Sequence, residues 1–188
     1  MNDIYERCPT FFSQNYQFRQ TQTSDALDLL KVYDDPASVP LFNSDNCGGD
    51  DFHYPSSERM LAAIKYWQEE YVAHGFVRWS IIDLKNNLGI GTVEVFDRKA
   101  DDFFDNTAIL RLDLRSDYEN TPVIKELIEV YKKEINHFFN SNQMATKAIN
   151  IARTRITALQ AAGFVQSTAP LIGHDGTAYV DYFVYKFN

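Results

Sequence analysis

The 188 residues are enough for one domain with a continuous core, and the 45% hydrophobic and 23% charged fractions exclude a disordered chain. A formal charge of −8 and the lack of any Lys/Arg run argue against nucleic acid as partner. No apolar run approaches the ~20 residues of a membrane span. The opening residues lack a basic-then-apolar signal, so a cytoplasmic location is expected. Cys8 and Cys47 are too few for a disulfide framework. Neither has a ligand-spaced His or Cys beside it, so no metal is expected.

In chain order, residues 1–15 show no period and read as a loose lead-in. Large and polar residues alternate over 16–22, as in a half-buried strand. Thr23, Ser24 and Asp25 offer caps for a helix carrying Leu27, Leu30, Val32 and Tyr33, broken at Asp35-Pro36. Residues 43–54, with adjacent glycines and several aspartates, read as an exposed mobile loop. A second helix starts at Pro55-Ser56-Ser57-Glu58, with Met60, Ile64, Trp67 and Tyr71 on one stripe and Gly75 as its terminator. The period then falls to two: 77–83 and 89–96 form a hairpin about Asn86-Asn87.

An acidic connection, 97–106, leads to a strand at 108–114, a polar corner at 115–120 and a long helix from Thr121-Pro122. That helix carries Val123, Leu127, Ile128, Tyr131, Ile135 and Phe138 at helical spacing. A strand at 145–151 completes a crossover, which sets its two strands parallel. A helix at 153–162 stopped by Gly163, then a closing hairpin of 165–171 with 178–187, ends the chain. The expected architecture is α/β in the α+β sense: one domain, a mostly antiparallel mixed sheet with one parallel βαβ crossover, and helices on both faces. The corner at the carboxyl end of strand 108–114 is where such sheets place ligands.

Arg111 and Asp113 alternate with Leu110, Leu112 and Leu114, and Thr92 and Glu94 alternate on the neighbouring strand. Two interpretations follow: a polar pocket where Glu94 or Asp113 accepts a proton and Arg111 orients the substrate, or a cross-strand Glu94–Arg111 ion pair.

This order, with Ile90-Gly91 on a strand, Leu110-Arg111-Leu112-Asp113-Leu114 before the crossover helix and Leu159-Gln160-Ala161-Ala162-Gly163-Phe164 closing the last helix, resembles the GNAT superfamily of N-acetyltransferases over residues 16–187. The resemblance implies an acetyl-CoA-dependent N-acetyltransferase acting on a small amine or peptide N-terminus. The alternative is a GNAT-fold module that binds without transfer. It also allows a homodimer. It implies a donor wedge between the two parallel strands, with Leu112 and Leu114 as the edge. Asn120, Thr121 and Val123 would lie at the phosphate end and Arg155 would be a phosphate contact. Tyr182 would be an acid. The sequence departs from the family pattern in having no glycine over 115–123, and Ala152 and Arg155 where the family has Asn and Ser.

Overall fold

The computed structural model describes residues 4–187. The lead-in contributes a two-residue strand, β1 (Phe11–Phe12), paired with β2 (Tyr16–Gln20). The unpatterned segment therefore joins the sheet through two adjacent aromatics too short to show a period. A 3-10 turn, Thr23–Asp25, feeds α1 (Ala26–Tyr33), which buries Ala26, Leu29, Val32 and Tyr33. Leu27, expected inside, is 72% exposed. The buried face runs through Ala26, Leu29, Val32 and Tyr33, and at helical spacing Leu27 falls about 140° around the helix from Val32.

Helix α2 (Ser57–Val72) is capped by Ser56, whose Oγ accepts from Arg59 N–H, and buries Met60, Ala63, Ile64 and Trp67. Its C-terminus has the paired bonds of a Schellman motif: His74 N–H to Tyr71 O at 3.1 Å and Gly75 N–H to Glu70 O at 2.8 Å. The residue in the left-handed slot is His74, at φ 60°, and not the expected Gly75. The end of α4 (Arg153–Ala161) follows the usual rule, with Gly163 at φ 87°.

Between these helices come β3 (Val77–Asp83), β4 (Leu88–Arg98), β5 (Thr107–Leu114), α3 (Thr121–Phe138) and β6 (Gln143–Lys147). After α4 follow β7 (Val165–Gln166), β8 (Leu171–Ile172), β9 (Ala178–Tyr179) and β10 (Tyr182–Lys186). The strands of the main sheet are ordered β1-β2-β3-β4-β5-β6-β10-β7, all antiparallel except the β5–β6 pair. The single closing hairpin expected for the C-terminus is divided. Strands β8 and β9 pair separately, and β10 passes between β6 and β7. Asp181, at φ 67°, makes the bend that separates β9 from β10.

One sheet face packs on α3 and α4. Ile124, Leu127, Ile128, Tyr131 and Ile135 meet Leu110, Leu112 and Leu114 there, with Val123 and Phe138 at the edge of the cluster. The other face is covered by α1, α2 and residues 52–54. Segment 43–54 is a packed cover rather than a free loop, with Asn43, Phe52 and Tyr54 buried. Its turn residues describe its backbone, while its aromatics and Asp45 anchor it.

A non-glycine residue in the left-handed region costs roughly 1 kcal/mol or more. His74→Gly should therefore stabilise the fold by about 1 kcal/mol, read by thermal or urea denaturation. Destabilisation instead would show that the Tyr5–His74 ring stack, with centroids 4.6 Å apart, outweighs the strain.

Candidate functional site

The β5–β6 pairing runs from Thr107–Gln143 to Leu110–Thr146 and stops. Strand β5 continues to Leu114 along β4, whereas the chain beyond β6 follows β10, with Ala148 N–H donating to Asp181 O at 3.0 Å. The two strands thus part beside the start of α3, leaving a wedge edged by Leu112 and Leu114.

Arg155, from α4, fills this wedge. Its Nη1 donates to Leu112 O at 2.7 Å and to Leu41 O at 3.1 Å, and its Nε and Nη2 grip the Glu119 carboxylate. Both side chains are almost entirely out of solvent. The α3 terminus is also largely satisfied from within. Asn120 Oδ1 accepts from Val123 N–H at 3.1 Å, Asn120 O accepts from Ile124 N–H, and Pro122 has no N–H. Thr121 is the first residue of the helix. Arg115 pairs with Asp117, and Ser116 N–H donates to Asp35. The two acids of the corner, Asp117 and Glu119, are each neutralised by an arginine.

On the α1/α2 face, three charged residues lie in register across the middle strands: Arg78 opposite Glu94, and Glu94 opposite Arg111. Arg78 Nη2 bonds Glu94 Oε2, and Arg111 Nη1 bonds the other oxygen, Oε1. Asp113 and Tyr33 extend the row: Asp113 Oδ2 accepts from Tyr33 Oη at 2.7 Å and from Arg78 Nη1 at 3.0 Å, while its Oδ1 has no partner among the described residues. The cross-strand ion pair expected for Glu94 and Arg111 is present, and Arg78 doubles it. Arg78 escaped the sequence reading because a β-bulge at Ile90 shifts the β3–β4 register by one residue. Carried back from the turn without that bulge, the register would set Arg78 against Val93, on the opposite face.

The electrostatics separate the two carboxylates. Glu94 is desolvated, but two guanidiniums outweigh this and hold its pKa below the ordinary carboxylate value. Asp113 moves the other way: complete desolvation, with one oxygen unpaired, dominates over Arg78 and raises its pKa. Tyr182, on β10, is held by Asn43 and Asp45, and burial pushes its hydroxyl well up. Asp45 also pairs with Lys147 and accepts from Arg111 Nη2 through its carbonyl, tying the cover segment to β5, β6 and β10.

Above the charged row lies a chamber of about 630 Å³ whose floor is Arg78, Glu94, Phe96 and Arg111. Its walls are Phe52, Tyr54, Tyr66, Trp67 and Phe76, with Cys47, Asp50, Arg59, Glu70 and His174 at its margins. The Arg78 guanidinium lies 4.1 Å from the centroid of Trp67. A second cavity, about 370 Å³, shares Asn46, Phe96, Arg111 and His174 with it and adds Tyr182. Cys47 is half-buried, and desolvation raises its thiol to about 11, which suits an unreactive side chain. Among the described residues no His/Cys/Asp/Glu cluster could hold a metal, and no helix is long and apolar enough to cross a membrane.

Of the residues singled out from sequence, Glu94 and Arg111 meet in the chamber floor and Asp113 lies behind it. Leu112, Leu114 and Arg155 meet at the wedge, with Asn120, Thr121 and Val123 at the α3 end. Tyr182 stands apart, on the wall of the second cavity. Arg78, Tyr33 and Glu119 were not anticipated.

Known structures share this arrangement of elements. The ribosomal-protein-S5-alanine acetyltransferase of Vibrio fischeri aligns with a TM-score of 0.67 at 18% identity, covering 94% of each chain. RimL, a ribosomal L7/L12 α-N-protein acetyltransferase solved with coenzyme A, aligns at 0.70 and 10% identity, over 95% of this chain and 98% of that one. AAC(6')-Ib, solved with ribostamycin and coenzyme A, aligns at 0.67 and 13% identity, over 92% and 94%. No protein-family model matches the sequence, and no curated protein does. The chain has the fold of the GNAT acetyltransferases.

Removing one member of a buried charge set leaves the others uncompensated, at a cost of about 3–5 kcal/mol. Glu94→Gln should lower stability by that order in urea denaturation at neutral pH. The pH dependence follows from its lowered pKa. The stabilisation from ionised Glu94 is fully present above the unfolded value of about 4.3 and is lost as pH falls through the folded one. The variant should therefore show a flatter acid limb in its stability profile than the parent. Equal limbs would mean that Glu94 carries no such stabilisation.

Proposed function

We propose that the protein is an N-acyltransferase that takes its acyl group from acetyl-CoA and gives it to an amine held in the aromatic chamber, either a small molecule or a peptide N-terminus. What carries this reading is the parting of β5 and β6 beside α3, in a fold shared with acetyltransferases that include two solved with coenzyme A. When bound, the thioester supplies an acyl carbon activated for direct attack. The chain supplies placement and proton handling. The backbone edge at Leu112 and Leu114 and the cations Arg115, Lys147 and Arg155 have the chemistry to receive an extended anionic ligand once Arg155 turns out of the wedge. Asn120, Thr121 and Val123 would then face its phosphate end.

In this reading Glu94 is the fixed anion that draws a cationic amine toward Arg111, which orients the acceptor. Glu94 is too firmly ionised by two guanidiniums to accept the proton well. The proton is assigned to Asp113, whose affinity for it is raised; Asp113 lies behind Arg78 rather than on the chamber wall, so the acceptor would have to reach past the Arg78 side chain. Tyr182, the sequence candidate for an acid, keeps its proton in a bond to Asp45 on the wall of the second cavity, so it is assigned no step and the thiolate leaves unprotonated.

A second reading, a GNAT-fold binding module without transfer, is favoured by one observation: the ion pair in the wedge together with the internally capped α3 terminus. The two readings separate in a thermal-shift experiment. At about 100 times its dissociation constant, acetyl-CoA should stabilise the transferase by roughly 2.7 kcal/mol. No shift with acetyl-CoA or longer acyl-CoA esters would select the binding module. If transfer occurs, Asp113→Asn should abolish turnover at every pH tested, assayed on protein shown folded by circular dichroism because the substitution also strips Arg78 of a buried partner. Intact turnover would remove Asp113 from the mechanism.

A further inference from the structure

The corner before α3 carries an acid where a diphosphate ligand would need none, and that acid already has a cationic partner. Arg155 reaches Leu112 O, Leu41 O and both oxygens of Glu119. These contacts are specific to its present position. Leu112 O belongs to the strand edge left open by β6, and Leu41 O ends the 3-10 turn Val39–Leu41 that leads into the cover segment. An arginine held only by packing would not reach both carbonyls and a carboxylate while remaining almost fully buried. The space left in the wedge beside it is small, and is lined by Leu112, Ile124, Thr146, Lys147 and Arg155 itself.

We infer that Glu119 is an intramolecular competitor for the donor site: it holds Arg155 across the wedge, and a phosphate-bearing thioester enters by replacing the Glu119 carboxylate as the partner of Arg155. The inference rests on the acyl-CoA reading of the wedge and names the residue that sets donor affinity there. The exchange conserves the pairing of the buried guanidinium, which is why the plug is displaceable at all. A buried cation stripped of its anion would be costly, whereas one that trades carboxylate for phosphate keeps a bidentate, charge-assisted partner. Glu119 must then turn away, because its charge would lie beside the incoming phosphates. Arg115 and Asp117 repeat the arrangement at the rim, as a more exposed pair that offers less resistance.

The test compares the binding of unacylated coenzyme A to the parent and to Glu119→Gln by calorimetry, with no acceptor present. The substitution removes both the charged grip on Arg155 and the repulsion of phosphate while keeping the shape of the side chain. Glu119→Gln should bind coenzyme A at least about tenfold more tightly, with a steeper loss of affinity as salt rises. Arg155→Ala would leave Glu119 buried and unpaired, so the double variant Arg155→Gln/Glu119→Gln serves as the control that removes both charges together. It should lose the gain made by Glu119→Gln alone. Equal affinity in parent and Glu119→Gln would overturn the competitor role and leave the acyl-CoA reading standing. No binding by any of the three proteins would overturn the acyl-CoA reading, and the exchange with it.

Discussion

The site depends on one carboxylate held between two guanidiniums. Glu94 stands in the middle of the sheet, and the strands on either side each present it with an arginine. A dry hydrophobic layer would not tolerate such a row, so α1 and α2 cover it with aromatics and leave a chamber above it. Trp67 stacks on Arg78 and Phe96 faces Arg111, which lets apolar walls approach charged groups without stripping their partners. Because the charges are compensated within the row, the chamber floor is rigid and close to neutral. An amine held there, as proposed, would be held by geometry and local field rather than by net charge.

The second constraint is the departure of β6 from β5. Four residue pairs join the strands, and beyond them β6 belongs to β10. The opening lies next to the N-terminus of α3, the longest helix among the described residues, which would ordinarily collect an anion. Here Asn120 and Pro122 use or remove the donors, and Arg155 occupies the gap with Glu119. The fold thus presents a wedge whose free groups are answered from within the chain. Any ligand of the wedge would have to compete with those internal partners.

The two centres share one strand. Arg111 points into the chamber at the place where β5 loses its second neighbour, and Leu110 and Leu112 on either side point toward α3 and α4. The cover segment adds a further tie, since Asp45 reaches Arg111, Lys147 and Tyr182 while Leu41 reaches Arg155. Movement of residues 41–45 would therefore be felt in both the wedge and the chamber.

Much of this was legible in the sequence because its signals are local. The period-two strands, the amphipathic α3 stripe, the crossover and the Glu94–Arg111 alternation depend only on neighbours along the chain or on one hairpin. The signals that failed were those requiring distant packing. Leu27 read as a core residue, but the face that packs on the sheet is the one carrying Ala26, Leu29, Val32 and Tyr33, which leaves Leu27 outward. The 43–54 segment has a turn composition, yet its anchors are Lys147 and Tyr182, far along the chain. Arg78 joined Glu94 only through a bulge that no composition marks. What the sequence determined by itself was the order of elements and which strands carry charge. What only the tertiary structure decided was which charges meet and that Arg155 closes the wedge, because pairing across strands and loops is set by register and packing rather than by spacing along the chain.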